Sequence, residues 1–514
     1  MSTSWLANAD PATAWAHLPW SDFTPAGAGE RTLAVLPIHG LADHGLGLPL
    51  DAEEIVGSAV LRRAVSACAG ALKLRVLPPL RFALAPYPST FFGIDPETAH
   101  ELIASIAAAV KAAGIERLVF FNTSPWNEEL IDAASRDARA NLGLHTFVIN
   151  LSGLGLDFHP ASTERAAAQA VAAHVLGAPP APATRAADVR DEAFRPGQYR
   201  QPAPLAFTGA VDGRHLLFTT ATRLAGLLAE IAARPAPGSP PAHAVPSVKP
   251  AAISEPAAET VWPSHRTRYL GALTREALEA LPDKEQALVI LPTCAIEQHG
   301  HHLPVGVDAI LGQAWLDHAL PLIPADVPVY VAPPVTFGKS NEHTGFGGTV
   351  SISARALRRI VLATAAQLRG LGFKRLAILN THGGNSAVLV YTVRELQAGN
   401  DFQAGLLSGY YRPAQDAQEA AYGFHAGEWE TSLMLACAPE LVRMDRAVCE
   451  YPAYVEAPGE LRPENAPAIF SWLTKDVSVS GVMGDATRAS TEKGIRWMTE
   501  ASLALAEHIE RLSR

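Results

Sequence analysis

Apolar residues recur along the chain in two alternating rhythms. A helical rhythm runs over PETAHELIASIAAAVKAAG (96–114) and again over ARALRRIVLATAAQLRGLG (354–372). Each is followed by a short apolar run, IERLVFFN (115–122) and FKRLAILN (373–380), with the length and composition of a buried strand. Helices alternating with buried strands predict an α/β fold, a mostly parallel sheet with helices on both faces. The rhythm breaks at PAPGSPPAHAVPSVKPAAISEPAAETVWPSH (234–264), where prolines deny the backbone both helix and ladder hydrogen bonds and little bulky apolar surface is left to bury. The expected organisation is a domain at 1–233, a Pro/Ala-rich linker at 234–264 and a second domain at 265–514. Another Ala/Pro-rich stretch, 177–198, reads as a long loop inside the first domain.

The two halves share more than rhythm. LPIHGLADHGLGLPLDAEEIV (36–56) lies without gaps on LPTCAIEQHGHHLPVGVDAIL (291–311), and Pro78-Pro79 falls on Pro333-Pro334 at the same offset. NTSPWN (122–127) matches NTHGGN (380–385), and FHPASTE (158–164) matches FHAGEWE (424–430). Four matches in one order predict a duplicated domain.

Chemistry-bearing residues cluster in the second half. Glu297, His299 and Asp308 form E-x-H-x8-D directly after the apolar run ALVILP, on the loop leaving a strand, where open α/β sheets place their sites. His382 in NTHGGN follows another strand, beside glycines that permit close backbone approach. HAGEWETS adds His425, Glu428 and Glu430 near a helix start. Mixed His/Glu/Asp sets suit zinc or manganese, and two such ions sharing a carboxylate can hold a hydroxide nucleophile at neutral pH. Taken singly, a histidine at a strand end is more often a structural residue, and HGG is a turn signal. The combination of three segments favours a metal site. His301 and His302 read as structural or rim residues.

Composition narrows the partners. With 48% apolar and 18% charged residues the chain is globular rather than disordered, and its length favours two cores over one. A net charge of -10 with no Lys/Arg-rich run argues against nucleic acid and anionic membranes. Cys68, Cys294, Cys437 and Cys449 are too scattered for a disulfide framework. No signal-peptide pattern and no apolar run of bilayer length is read in the sequence, so a cytoplasmic protein without a membrane partner is expected.

Together LPTCAIEQHGHHLPVGVD, PPVTFGKSNEHTGFGGTVSIS, NTHGGN, HAGEWETSLMLACAPELVRMD and SGVMGDATRASTEKG resemble the creatininase (creatinine amidohydrolase) family, in its HGGN branch. The resemblance covers nearly all of the second half. It implies three-layer α/β/α domains, two divalent ions per chain (zinc or manganese), and cleavage of a C–N amide bond of a small molecule by a hydroxide bridging the metals. Carried over by position, Glu297 and His382 bind one metal, His299 the other, Asp308 bridges both, and Glu428 completes the set. His425 is the expected acid for the leaving nitrogen, with Glu430 either orienting it or holding the helix. Ser340, His343 and Tyr422 fall on the substrate pocket.

Two departures argue against creatinine itself as substrate. The carboxylate that creatininase places two residues after the third-motif histidine is Gly384 here, and the stretch EAAYGFHAG lacks a tryptophan lid. The first motif also carries Cys294-Ala295, with Cys294 read as a packing residue rather than a nucleophile. Relatives in the HGGN branch act on nucleotide-derived formamides, oxidised cyclitols or peptide-derived cofactor precursors, so peptidase-like maturation is the alternative activity. A non-catalytic binding or scaffold protein is the alternative from another class. Lys339 and Arg488 are the motif-borne cations available to a phosphorylated substrate.

The same alignment leaves the first half depleted. Glu297 corresponds to Ala42, His382 to Ser124, Glu428 to Ser162 and Asp308 to Glu53, while His44, His159 and Glu164 persist. Too few donors remain for two metals, and Pro125-Trp126 is expected to fill the vacated space. The expected result is a degenerate copy that pairs pseudo-symmetrically with the second half and shapes its pocket, within a homo-oligomer.

Overall fold

The computed structural model describes residues 12–23, 32–85, 87, 89–183, 204–235, 248–254, 261–398, 402–452, 455–464 and 466–513. The first half builds a parallel sheet in the order β2 (Leu74–Val76), β1 (Leu33–His39), β4 (Arg117–Asn122), β5 (His145–Asn150), with β3 (Leu80–Arg81) continuing beside β1. The second builds β7 (Val329–Val331), β6 (Leu288–Thr293), β8 (Arg375–Asn380), β9 (Gln403–Leu407), also parallel. The duplication extends to hydrogen-bond register. Leu33 pairs with Arg117 and Ile38 with Asn122, as Leu288 pairs with Arg375 and Thr293 with Asn380 at the matching positions.

Helices cover both faces, because strands buried on both sides need two apolar covers. In the first half α1 (Ala52–Cys68), α4 (Arg165–Leu176) and α5 (Gly213–Ala233) pack together on one face, while α2 (Pro96–Ala112) and α3 (Glu128–Leu142) pack together on the other. The second half adds α6 (Arg275–Glu279), α7 (Val307–Ala319), α8 (Ala354–Gly370), α9 (Ser386–Ala398), α10 (Ala417–Tyr422), α11 (Glu428–Cys437), α12 (Thr474–Val477) and α13 (Thr491–Ser513). There α7, α11 and α13 pack as one layer, and α8 with α9 form the other. Each half is therefore a three-layer α/β/α unit.

Contrary to the sequence reading, one helix does have the length and apolar composition of a membrane span, α5. Its Leu217, Leu224 and Leu228 lie fully buried in the core of the first half, against α1 and α4. That is the packing of a core helix, since a span would turn its apolar side to lipid.

The halves are joined through α2 and α8, whose N-terminal caps are cross-braced. Asp95 caps α2 and accepts from Arg359 at 2.8 Å; Ser353 caps α8 and donates to Glu101, which also pairs with Arg355. Each half also lends the other a segment of backbone. Val305 and Gly306 N–H donate to the carbonyls of Leu18 and Ala16, and Leu50 and Asp51 N–H donate to those of Leu273 and Gly271. These are equivalent bonds, exchanged in both directions. As a result one buried cluster runs from Trp15 and Phe23 through the cores of both halves.

Of the expected linker, 236–247 and 255–260 lie outside the described residues, as do 184–198 of the expected loop. The described parts of the linker are not loose. Ala251 N–H donates to the Ala67 carbonyl, and buried Trp262 lies under the Arg81 guanidinium at 3.9 Å.

Trp15 is fully buried, and its indole N–H donates to the Gly348 carbonyl at 2.8 Å in the other half. Trp15→Ala is expected to cost about 3–5 kcal/mol, the usual range for a buried tryptophan. Because the side chain belongs to a shared core, calorimetry should show a single transition shifted down. A split into one stable and one destabilised transition would show that the halves fold independently.

Candidate metal centre

β6 and β8 end side by side, so the loops that follow them meet over the C-terminal edge of the sheet. The first carries Glu297, His299 and Asp308, and the second carries His382. Asn380, the last residue of β8, donates from its amide to the His382 carbonyl at 2.7 Å and fixes the turn. Asn122 makes the same bond to the Ser124 carbonyl at 2.8 Å in the first half, so the scaffold of the turn survives where the histidine does not.

A third segment arrives from the side. His425 pairs with Met483 in an antiparallel bridge, and Ala426 then adopts a left-handed φ of 54° before α11 begins. A non-glycine residue held there stores strain, which commonly marks functional sites. The turn delivers His425 to one side and Glu430 to the other.

The structure brings Glu297, His299, Asp308, His382, His425 and Glu430 together. Three sets of potential ligand atoms lie within 4.8 Å of one another: Glu297–Asp308–His382, His299–Asp308–Glu430 and Glu297–His299–His425. Asp308 is common to the first two. Glu428, expected in the ligand set, is not among them. Its carboxylate is ion-paired with Lys493 of α13, and its N–H donates to Glu419 at 3.0 Å. Glu430 Oε2, 3.8 Å from His299 Nε2, stands where Glu428 was expected.

Charges here are set by burial and by one another. Burial disfavours a charged His299, but Glu430, Asp308 and Glu297 outweigh it and hold the imidazole up at about 9. Burial and the neighbouring Glu297 push Asp308 up to about 7. Burial likewise works against Glu297, yet His343, His382 and His425 keep it well below the usual carboxylate range. His425 is pushed down to about 4 by burial and by the charge on His299, so it is neutral near pH 7.

The residues fit a metal. His299 Nε2 and Asp308 Oδ2 are buried with no hydrogen-bond partner, although buried polar atoms are rarely left orphaned. His299 Nδ1–H donates to the Glu297 carbonyl at 3.0 Å, which turns Nε2 into the cluster. His382 is held from behind, with Nε2 3.0 Å from the Lys339 carbonyl and 3.4 Å from Glu342, and Nδ1 turned inward. This carboxylate behind an imidazole is the arrangement that orients metal-binding histidines. It also accounts for Gly384, where a Cβ would lie 1.9 Å from Glu342 Oε1.

The expected pocket residues divide. Ser340 Oγ donates to Glu297 Oε2 at 2.5 Å and His343 Nε2 lies 3.5 Å from Glu297 Oε1, so both touch the candidate ligand itself. Tyr422 is half-buried under the Arg462 guanidinium at 5.4 Å. The aromatic wall comes instead from Trp472, with ring centroids 6.1 Å from His343 and 5.7 Å from Phe424. Sequence reasoning missed it because it follows the HAG motif by a long excursion; a lone tryptophan in SWLTKD was the only signal. Cys294 is buried and pushed up to about 12, consistent with packing and not with a nucleophile. His302 is also buried, pushed down to about 3, and bonded to Thr431 at 2.8 Å.

In the first half the matching space is filled from within. Glu53, one methylene longer than Asp308, places its carboxylate 3.0 Å from His44 Nε2, accepts from Ser124 Oγ at 3.3 Å and from Gly40 N–H at 2.6 Å. Trp126, expected to fill the vacated space, is buried and stacks on Tyr87 with ring centroids 5.1 Å apart. His159 and Glu164 lie exposed rather than over the cluster.

The profile of the family described as creatinine amidohydrolase matches residues 16–202 and 271–509. The mycofactocin precursor peptide peptidase of Mycolicibacterium smegmatis is 34% identical over 229 residues, 44% of this chain and 85% of that protein. The creatinine amidohydrolase of Pseudomonas putida is 33% identical over 250 residues, 44% of this chain and 90% of that protein. A solved manganese creatininase, 28% identical, covers 48% of this chain and 98% of its own, with a TM-score of 0.38. Matched in both halves, the chain belongs to the creatininase family of hydrolases and carries the family's domain twice.

Proposed function

We propose that the second half is a dinuclear metal-dependent amidohydrolase that cleaves a C–N bond of the cyclic amide or formamide type in a small molecule. The observation that carries this is the pair of ligand sets sharing Asp308, with orphaned atoms on His299 and Asp308 turned into the space between them. Glu297 and His382 would hold one ion, His299 and Glu430 the other, and Asp308 would lie between. Zinc or manganese bound there supplies carbonyl polarisation and a water acidic enough to attack at neutral pH.

The chain's own groups do the rest. Ser340 and His343 fix Glu297, and Glu342 with the Lys339 carbonyl fixes His382. His425 Nε2–H is tied to the Gln298 carbonyl at 2.8 Å, which leaves Nδ1 as the proton-accepting atom, 3.8 Å from Glu297 Oε1. A neutral imidazole so placed takes a proton at Nδ1 and passes it to the leaving nitrogen. Trp472 and Phe424 give the site an apolar wall that limits water.

The two cations available for a phosphate are already engaged, Lys339 by Glu342 and Arg488 by Asp416. An uncharged amide fits better than a phosphorylated one. Likeness to the mycofactocin peptidases supports a second reading, cleavage of a peptide bond in a precursor peptide. The first half is proposed as a pseudo-catalytic copy, since Glu53 occupies the matching centre. The reading keeps the cytoplasm as the compartment, in line with four free cysteines, and a homo-oligomer as the assembly.

Elemental analysis of the full chain should find about two zinc or manganese ions, the number a shared-carboxylate site holds, with loss in His382→Ala. About four would overturn the inactive first half, and none after reconstitution would replace catalysis with a binding role. Glu430→Gln should lower metal occupancy by one ion, whereas Glu428→Gln should leave occupancy intact and only release Lys493. The reverse pattern would restore Glu428 to the ligand set.

A further inference from the structure

The second half's site is not walled by the second half alone. Residues Thr13–Phe23 leave the first half and run across the second. Leu18 and Ala16 carbonyls accept from Val305 and Gly306, between the candidate ligands His299 and Asp308, and Phe23 packs where a Cβ on Gly347 or Gly348 would stand at 2.6 or 2.5 Å. Asp22 pairs with Arg443 at 2.6 Å, and Arg443 N–H donates to the His302 carbonyl.

Trp20 sits at the centre of this arm. Its ring lies 4.5 Å from that of His301 and 5.0 Å, edge-on, from that of Phe346, and its indole N–H donates to the Ser480 carbonyl at 3.1 Å. Those three contacts fall on three separate segments. His301 belongs to the loop of Glu297 and His299. Phe346 belongs to the loop of Ser340 and His343. Ser480 precedes Gly481, whose carbonyl accepts from Gln298 at 3.0 Å, and Met483, which pairs with His425. One first-half side chain thus ties together the loop of Glu297 and His299, the loop of Ser340 and His343, and the 480–483 segment that braces His425.

The duplication supplies an internal control. At the position of Trp20, the reciprocal segment of the second half carries Arg275, and the residue matching Gln298 is Asp43. Arg275 stands 3.8 Å from Asp43 and 2.8 Å from Glu279. Over the copy filled by Glu53 the exchanged segment brings a charged pair; over the intact copy it brings an aromatic clamp.

We infer that Trp20 is a positioning residue for the second half's metal centre, supplied in trans by the first half, which is thereby a necessary part of the site. That the positioned object is a metal centre rests on the function proposed above; that Trp20 holds the three segments does not. The experiment uses full-length Trp20→Ala, Trp20→Phe and Arg275→Ala. In hydrogen–deuterium exchange of the metal-free chains, Trp20→Ala should speed exchange over 297–303, 340–349 and 478–485 with the rest of the chain unchanged. Trp20→Phe, which keeps the ring contacts, should restore most of the protection, and Arg275→Ala should leave these segments as in the wild type. Titrated with cobalt(II), Trp20→Ala should bind about tenfold more weakly, as for loss of a group that orients ligands, with an altered visible spectrum. Unchanged exchange in the three segments overturns the inference, as does acceleration spread evenly over both halves. A wild-type chain that binds no cobalt overturns the proposed function, while the exchange data still decide the role of Trp20.

Discussion

Everything in the second half is arranged around the cost of taking Glu297 and Asp308 out of water. A buried carboxylate loses hydration worth several kcal/mol, and it persists only when paired and hydrogen-bonded. Here two carboxylates lie beside one another, so neither can be stabilised by the other. His299 and His382 are therefore drawn in as cations in the metal-free chain, and burial leaves His343 and His425 neutral. The same balance explains the orphaned atoms. His299 Nε2 and Asp308 Oδ2 face the centre without a hydrogen-bond partner, and a divalent ion displacing the imidazolium protons would give each of them one. The strained Ala426 and the tightly packed Gly384 follow, because both let groups approach more closely than ordinary side chains allow.

The first half shows another solution to the same constraint. Its scaffold is retained to the level of strand register and of the Asn122 bond that shapes the turn after β4. What changed is the number of charges needing compensation. With Ala42 in place of a carboxylate and Ser124 in place of an imidazole, a single acid, Glu53, reaches inward to 3.0 Å from His44 Nε2 and accepts from Ser124 and the Gly40 N–H.

Legibility in the sequence followed the range of the interaction that decided each feature. The sheets and their helices were readable because burial on two faces writes a local pattern, and the gapless match of 36–56 to 291–311 carried register with it. Glu297, His299 and His382 were readable because each lies on the turn that leaves a strand, and Asp308 because it opens the helix that follows. Glu428 against Glu430 was not. Two residues apart on a helix point about 200° away from each other, and which one faces the centre depends on the φ of Ala426 and on Lys493, which arrives from α13. Trp472 and Trp20 were unreadable for the same reason in stronger form: their partners are remote in sequence, and no local spacing announces them.

Exchange of backbone segments between the halves makes their asymmetry intelligible. In a symmetric pair each copy lends the same segment to the other, so a mutation in the segment is felt at both sites at once. Duplication within one chain removes that coupling. The segment at 13–23 can then be fitted to the live centre with a tryptophan, and the segment at 268–278 to the filled one with an arginine, each without cost to the other. Loss of ligands in the first half does not free that half to disappear, because its arm still pairs with the loop between His299 and Asp308. The first half is held to its neighbour by the backbone it contributes and by Trp15, Trp20 and Phe23.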